Sequence, residues 1–246
     1  MKPLKKMNKA LLNEKWRKFL KYRRIFSFVP FLDFTIVSGS LALGNVHENS
    51  DFDVIVGARA GRIFTVRFFC MLIFGILGLR RRGMDGKAAS GDKVCFNHFV
   101  TPTAYRLSPP HNDYWRKLYQ NLVPVYSGEE AVRKFFKANE GWAPRSEKAS
   151  SGREVFDEKY WQPQGGILKY TTPVFRNFFE WLLKGFLGNV FEKFLKSVQV
   201  KRIRRSLKRD TGFKPRIRYD DEELEFHPDT RRIEEMLGGT KPLPPS

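Results

Sequence analysis

The sequence predicts an α/β (α+β) protein in which a small mixed sheet is covered by helices. Three short runs, at residues 34–37, 51–56 and 93–101, are rich in the β-branched and aromatic residues of buried strands. Segments with helical spacing of apolar residues lie before and between them, at residues 9–26 and 62–79. Strands that alternate with helices are typical of an α/β unit and not of a helical bundle.

The chain divides by composition into three parts. Residues 1–108 contain the alternating elements, and we expect them to form one domain that begins with a helix. Residues 109–200 are expected to be a helical region with a loop near 140–166, where Gly, Pro, Ser and charged residues accumulate. Residues 201–246 are expected to form a basic tail.

The end of the helical region is rich in phenylalanine. From Phe175 to Val198, apolar residues recur at helical spacing behind Pro173, which predicts one helix that runs to about Val200. Core packing or a groove for a partner helix is the favoured interpretation, although interspersed lysines leave a membrane-surface helix open. In the tail, residues 214–219 and 224–226 could pair as a small hairpin.

The net charge indicates which kind of partner the protein binds, and the cysteine content indicates its cellular compartment. The 246 residues include 45 Lys and Arg against 26 Asp and Glu, a net charge of +19, which favours RNA or another polyanion as a partner. The basic runs at residues 80–82 and 201–209 could contact a phosphate backbone. Two cysteines cannot form a disulfide scaffold or a cysteine zinc site, so a cytoplasmic location is expected.

One apolar segment, residues 63–79, resembles a membrane span in hydropathy alone. It falls short of the ~20 residues that cross a bilayer, and it contains Arg67. We therefore expect a helix buried against the sheet, and membrane association is the less favoured interpretation.

The residues with the clearest chemistry lie between the first two strands. Gly39 and Ser40 end one strand, and Asp51-Phe52-Asp53 opens the next after a spacer of ten residues. On a strand, Asp51 and Asp53 share a face at roughly 6–7 Å, which suits two carboxylates on a pair of Mg²⁺ ions ~3.5–4 Å apart. Gly39 allows close approach of a phosphate, and Ser40 can donate a hydrogen bond to it.

This pattern resembles the signature of the DNA polymerase β-like nucleotidyltransferase superfamily, over about residues 30–105. The resemblance implies that Asp51 and Asp53 are catalytic and hold Mg²⁺ or Mn²⁺, while Gly39 and Ser40 bind a nucleoside triphosphate (NTP). It also implies transfer of a nucleoside monophosphate to an acceptor hydroxyl, which could belong to an RNA end, a protein or a small molecule. Arg62, which opens the following helix, is a further candidate for phosphate binding.

The sequence departs from the family pattern at the third carboxylate, which the family usually places on a later strand. The corresponding strand has no acidic residue, and Asn97 and His98 stand where one is expected, with Asp92 just before the strand. Asn97 could ligate a metal weakly but cannot accept a proton. His98 could accept one, but it is expected on the opposite face from Asn97, and a core histidine is favoured. A catalytically inactive nucleotide-binding or nucleic-acid-binding module of the same fold is therefore the alternative.

Overall fold

The computed structural model describes residues 9–81, 91–109, 111–145, 173–207 and 216–227. Within these residues it has seven α-helices and one six-stranded mixed sheet, which confirms the predicted α/β (α+β) class. The helices are α1 (Lys9–Tyr22), α2 (Gly39–Ala42), α3 (Ile63–Ile76), α4 (Asp113–Gln120), α5 (Glu129–Asn139), α6 (Val174–Leu182) and α7 (Phe186–Leu207). The strands are β1 (Leu32–Val37), β2 (Phe52–Ala58), β3 (Val94–Val100), β4 (Val123–Ser127), β5 (Arg216–Tyr219) and β6 (Glu223–His227).

The sheet has the order β4-β1-β2-β3-β6-β5. Among these described strands, only β2 and β3 are parallel neighbours, and α3 connects them. Three of the strands come from beyond residue 108, so the sheet is not confined to the N-terminal part of the chain. β4 lies in the region for which the sequence indicated only helices, and it is an edge strand, where Pro124 can be accommodated.

The predicted C-terminal hairpin is present and extends the sheet. β5 and β6 pair with each other, and β6 also pairs with β3, with Glu225 opposite His98. The carboxylate of Asp220 accepts hydrogen bonds from the backbone N–H groups of Glu222 and Glu223 at 2.9 and 2.7 Å, which fixes the turn. Residues 208–215 and 228–246 of the basic tail lie outside the described residues.

The two faces of the sheet carry different helices. Phe19 of α1 and Phe74 of α3 pack on Phe52 and Phe96 at ring-centroid distances of 5.4 and 5.0 Å, so these helices cover one face. Asp53 is adjacent to Phe52 on β2 and therefore points to the other face. On that second face, α5 packs against β1. Asp53 lies where the second face is only partly covered, because its side chain is half-buried.

The Phe-rich segment forms two helices, not the single helix that the spacing predicts. The break falls at residues 183–185, where Gly185 separates α6 from α7, and Pro173 caps α6 without belonging to it. α7 packs on α3, where the Glu192 carboxylate accepts hydrogen bonds from the backbone N–H groups of Phe64 and Thr65 at 2.7 and 2.8 Å. None of the helices in the described ranges has the length and hydropathy needed to cross a membrane.

Candidate active site

Three side chains converge where β2 begins. Asp51 immediately precedes β2, Asp53 is its second residue, and Cys95 lies opposite Asp53 on β3. The carboxylate oxygens and the Cys95 Sγ lie within 4.8 Å of one another. The structure therefore brings together the two acidic residues that the sequence proposed, and it adds a thiol that was not among the predicted site residues.

Gly39 places the backbone directly against the carboxylate of Asp53. A Cβ atom at this position would lie 2.1 Å from Asp53 Oδ2 and 2.9 Å from its Cβ, and Gly39 has a φ of +61°. The backbone N–H of Ser38 also donates a hydrogen bond of 2.9 Å to the carbonyl of Asp53. Both the close approach and the left-handed backbone require glycine here. Ser40 follows in α2, at the same junction between β1 and β2.

Asn97 occupies an irregularity in β3. Phe96 lies opposite Val54 and His98 lies opposite Ile55, so Asn97 is an extra residue in this parallel pair. Its Nδ2 donates a hydrogen bond of 2.9 Å to Asp53 Oδ1. Asn97 shares the face of Cys95 by strand alternation, and its hydrogen bond holds it against the carboxylate pair.

Charge in this cluster is only partly balanced. Burial, together with the nearby carboxylate of Asp51, raises the pKa of Asp53 to about 7, although Cys95, Arg81 and Asn97 oppose the shift. Arg81 Nη1 lies 2.5 Å from Asp51 Oδ2. Burial alone would lower the pKa of Arg81, but Asp51 and its neighbours raise it instead. An arginine is therefore paired with one carboxylate, while the half-buried carboxylate of Asp53 lies beside a like charge.

Sequence reasoning missed three residues of this cluster. Arg81 belongs to a basic run that was considered only as a nucleic-acid contact. Cys95 lies two residues before Asn97, so strand alternation could have placed it on the same face. Tyr114 comes from α4, and its pKa is raised by burial and by the charge of Asp53. No local pattern in the sequence links Tyr114 to β2.

The loop that leads to Asp51 is held by a buried lysine. Lys15 Nζ donates hydrogen bonds to the carbonyls of Glu48 and Ser50 and to Asp92 Oδ1, at 2.5, 3.0 and 2.7 Å. Lys18 also binds Asp92, at 2.7 Å. Asp92 therefore connects α1 to the loop and does not supply the third carboxylate.

Arg62 lies away from the carboxylates. It follows the C-terminal end of β2, whereas Asp53 is near the start of the strand. Its guanidinium donates hydrogen bonds to the carbonyls of Gly61 and Lys184 and to Asn189 Oδ1, at 2.7, 3.3 and 2.9 Å. The structure does not bring Arg62 to the predicted nucleotide site, because these contacts hold it between α3 and the start of α7.

His98 belongs to a second, fully buried cluster. Its Nε2 lies 3.0 Å from Glu223 Oε1, and Glu225 lies directly opposite on β6. The bulge places His98 opposite Ile55, which shares the Asp53 face, so the expectation that His98 faces away from Asn97 is wrong. The favoured core interpretation agrees with its burial, since only 3% of His98 is exposed.

Comparisons with protein-family models, with curated proteins and with solved structures found no match for this chain. The two carboxylates are hard ligands of the kind that Mg²⁺ and Mn²⁺ prefer. The Cys95 Sγ beside them is a softer donor, and burial and the two carboxylates raise the pKa of this thiol. The carboxylate pair fits such a cation, because burial and the charge of Asp51 raise the pKa of Asp53, and a positive charge beside it would favour its ionised form.

Proposed function

We propose that this protein is a Mg²⁺-dependent or Mn²⁺-dependent nucleotidyltransferase that transfers a nucleoside monophosphate from an NTP to an acceptor hydroxyl. The observation that carries the proposal is the contact between Gly39 and Asp53. It supports a site in which the Gly39-Ser40 backbone and the Asp51-Asp53 pair act on the same ligand. A phosphate bound by that backbone would lie beside the carboxylates.

Asp51 and Asp53 would hold the cation, with Asn97 close enough to Asp53 to orient it. When bound, the cation supplies positive charge that stabilises the phosphate oxygens in the transition state. It would also favour the ionised form of Asp53, since a nearby positive charge lowers the pKa of a carboxyl group.

The protein's own residues have separate tasks in this proposal. Gly39 and Ser40 bind the triphosphate, and Arg81 would exchange its contact with Asp51 for a phosphate oxygen once the cation is present. The Asn97 amide donates its hydrogen bond to Asp53 and cannot take the proton of the acceptor hydroxyl. A slow transfer is therefore expected, because the position that could activate the acceptor lacks a base.

The test is incorporation of label from each of the four NTPs, with Mg²⁺ or Mn²⁺ and with cellular RNA or protein as acceptor. Asp53→Asn should reduce transfer at least about a thousandfold, because it removes a charged ligand without changing shape. Asp221→Asn is the matched control, since this exposed carboxylate lies in the β5-β6 turn and contacts Lys196. Transfer by Asp53→Asn at the control rate would contradict the proposal.

A second function is favoured by two specific observations. Asn97 stands in the third position, and the Arg81 guanidinium already neutralises Asp51. Both suit a module that binds a nucleotide or nucleic acid without reaction. Calorimetric binding of an NTP by the wild-type chain, together with no incorporation for any NTP and acceptor, would select this function over the enzyme.

A further inference from the structure

The outer side of α6 and of the first half of α7 is apolar. Trp181 is 73% exposed and Phe186 is 79% exposed, which is unusual for side chains of this size. Neighbouring exposed positions are also apolar, and together they form what we call the outer stripe: Val174, Phe175, Phe178, Trp181, Leu182, Phe186, Leu187, Val190, Phe194 and Val198. A contiguous surface of this kind usually marks a binding site.

The second half of α7 continues the same exposed side with positive charge. Lys193, Lys201, Arg204 and Arg205 line a groove of about 600 Å³ along this helix. The helical spacing places four residues on one face of α7: Val190, Phe194, Lys201 and Arg205. One helix therefore presents an apolar end and a cationic end on the same side.

The orientation of both helices is fixed by contacts on their inner sides. Leu183, Leu195 and Ile203 are buried, and Arg176 Nη2 donates a hydrogen bond of 3.0 Å to the carbonyl of Leu32. Gln199 bonds the carbonyl of Phe64 at 2.9 Å. Rotation of α6 or α7 to bury the outer stripe would break these contacts, so the stripe stays on the surface.

We propose that the outer stripe and its cationic end bind the surface of an anionic phospholipid bilayer. Helices that lie in a membrane interface combine Phe, Trp and Leu on one side with adjacent Lys and Arg, as here. Anionic headgroups attract the basic end, while the apolar end enters the boundary between headgroups and acyl chains. The helices would lie in the plane of the membrane and would not cross it.

Charge and side-chain chemistry favour a lipid surface over other occupants. A second copy docked through this face would bring two sets of lysines and arginines together in a chain whose net charge is +19. RNA would be attracted by the basic end and could stack on the aromatic half of the stripe. The other half is aliphatic and offers RNA neither stacking nor hydrogen bonds: Val174, Leu182, Leu187, Val190 and Val198. Anionic lipid satisfies both halves of the surface.

The experiment is flotation of the full chain with vesicles of phosphatidylcholine alone and of equal parts phosphatidylcholine and phosphatidylglycerol. We expect binding to the mixed vesicles, at least about tenfold weaker in the triple variant Trp181→Ser, Phe186→Ser, Phe194→Ser. Arg204→Glu with Arg205→Glu should cause a loss of similar size. Arg133→Glu with Lys137→Glu, a matched exposed pair on α5, should bind like the wild type. The substituted residues are exposed, so unchanged thermal unfolding is expected and verifies folding.

Three results would overturn the proposal. One is no binding to the mixed vesicles, and another is equal binding by the triple variant and the wild type. The third is a concentration-dependent dimer in sedimentation that the triple variant loses, because it would assign the outer stripe to a second copy. In the first case, RNA binding that falls in the Arg204 and Arg205 double variant would assign the basic end to nucleic acid. None of these results depends on transferase activity.

Discussion

β3 contributes to two polar clusters that differ in their relation to solvent. Cys95 and Asn97 meet Asp51 and Asp53 at side chains that are only half-buried. One residue further along, His98 meets Glu223 and Glu225, and no more than 3% of any of these three is exposed. Each cluster combines acidic residues with a potential metal ligand, so residue types alone do not distinguish them.

The difference lies in how each cluster is completed. The buried cluster is closed by the C-terminal hairpin, and Arg218 Nη1 contacts Glu223 Oε2 at 3.0 Å. In the half-buried cluster, Gly39 lies against Asp53 at a position where a side chain would contact the carboxylate. The pKa of Asp53 is raised to about 7. In the buried cluster the acidic side chains have partners within the protein, which suits a structural role. In the half-buried cluster the pKa of one carboxyl stays raised, which is typical of a site that binds a ligand.

The largest expected effect concerns the buried cluster. His98→Ala would leave Glu223 and Glu225 in a buried site without the imidazole, so the free energy of unfolding should fall by about 3 kcal/mol. Urea unfolding measures this loss. His47→Ala, at an exposed position, should change it by less than about 0.5 kcal/mol. The transfer that we propose should keep its rate per folded molecule in both variants. Its loss in fully folded His98→Ala would place His98 in the candidate active site instead.

Gly39→Ala should cause a loss of similar size, but in the half-buried cluster. The new Cβ would clash with Asp53, and alanine at positive φ adds strain, for a combined cost of about 3 kcal/mol. Gly78→Ala is the control for backbone strain alone, because Gly78 has a φ of +68° but its new Cβ would meet nothing within 4 Å. Its free energy of unfolding should fall by about 1 kcal/mol. Urea unfolding of both variants measures the difference; equal losses would mean that the approach to Asp53 is not tight.

The local elements of the fold could be predicted from the sequence. The β-branched run of β1, the Asp-x-Asp start of β2 and the apolar α3 all have short-range patterns, and the C-terminal hairpin has a turn signal at Asp220. The placement of β4 and β6 could not be predicted, because which edge a strand joins depends on contacts between distant residues. Pro124 also disfavours a strand in the sequence. The edge position of β4 accommodates this proline.

The candidate site was predictable as far as the first three strands, because the sequence also indicated Asn97 of β3, which contacts Asp53. Asp51, Asp53 and Gly39 lie close in sequence, and strand geometry relates them directly. Arg81 is 30 residues from Asp51 in the sequence, so their contact depends on the path of the chain after α3. The bulge at Asn97 shifts the register by one residue, which no alternation pattern reveals.

The pH dependence of stability should reflect the shifted carboxyl of Asp53. Its pKa is about 7 in the folded protein against 3.8 as the ordinary value, so the folded state holds the extra proton between these pH values. Stability of the metal-free protein should therefore fall as the pH rises from about 4 to 8. The full shift corresponds to about 4 kcal/mol, and the loss should be smaller because the side chain is partly exposed to solvent. Asp53→Asn should remove that part of the slope in urea unfolding with EDTA. Burial also raises the pKa values of Asp33 and Glu192, and their contributions to the slope should remain in this variant.

Asp221→Asn serves as the control for the pH experiment, because it changes an exposed carboxylate in the turn. Its pH dependence should match that of the wild type. An unchanged slope in Asp53→Asn would show that Asp53 ionises normally in the folded state, and the contrast between the two clusters would lose its electrostatic basis.

The smallest expected effect is a gain. Asn97→Asp introduces a carboxylate where the side chain already reaches Asp53 Oδ1, so Mg²⁺ or Mn²⁺ should bind about tenfold more tightly in calorimetry. Asn97→Ala is the control, since it removes the hydrogen bond to Asp53 without adding charge. Without metal, the added charge should raise the pKa of Asp53 further and lower stability above about pH 7. Metal binding by Asn97→Asp no tighter than by Asn97→Ala would contradict the assignment of this cluster as a cation site. Increased NTP turnover in Asn97→Asp would show that the position lacks only a carboxylate, because the backbone geometry that presents it is already in place.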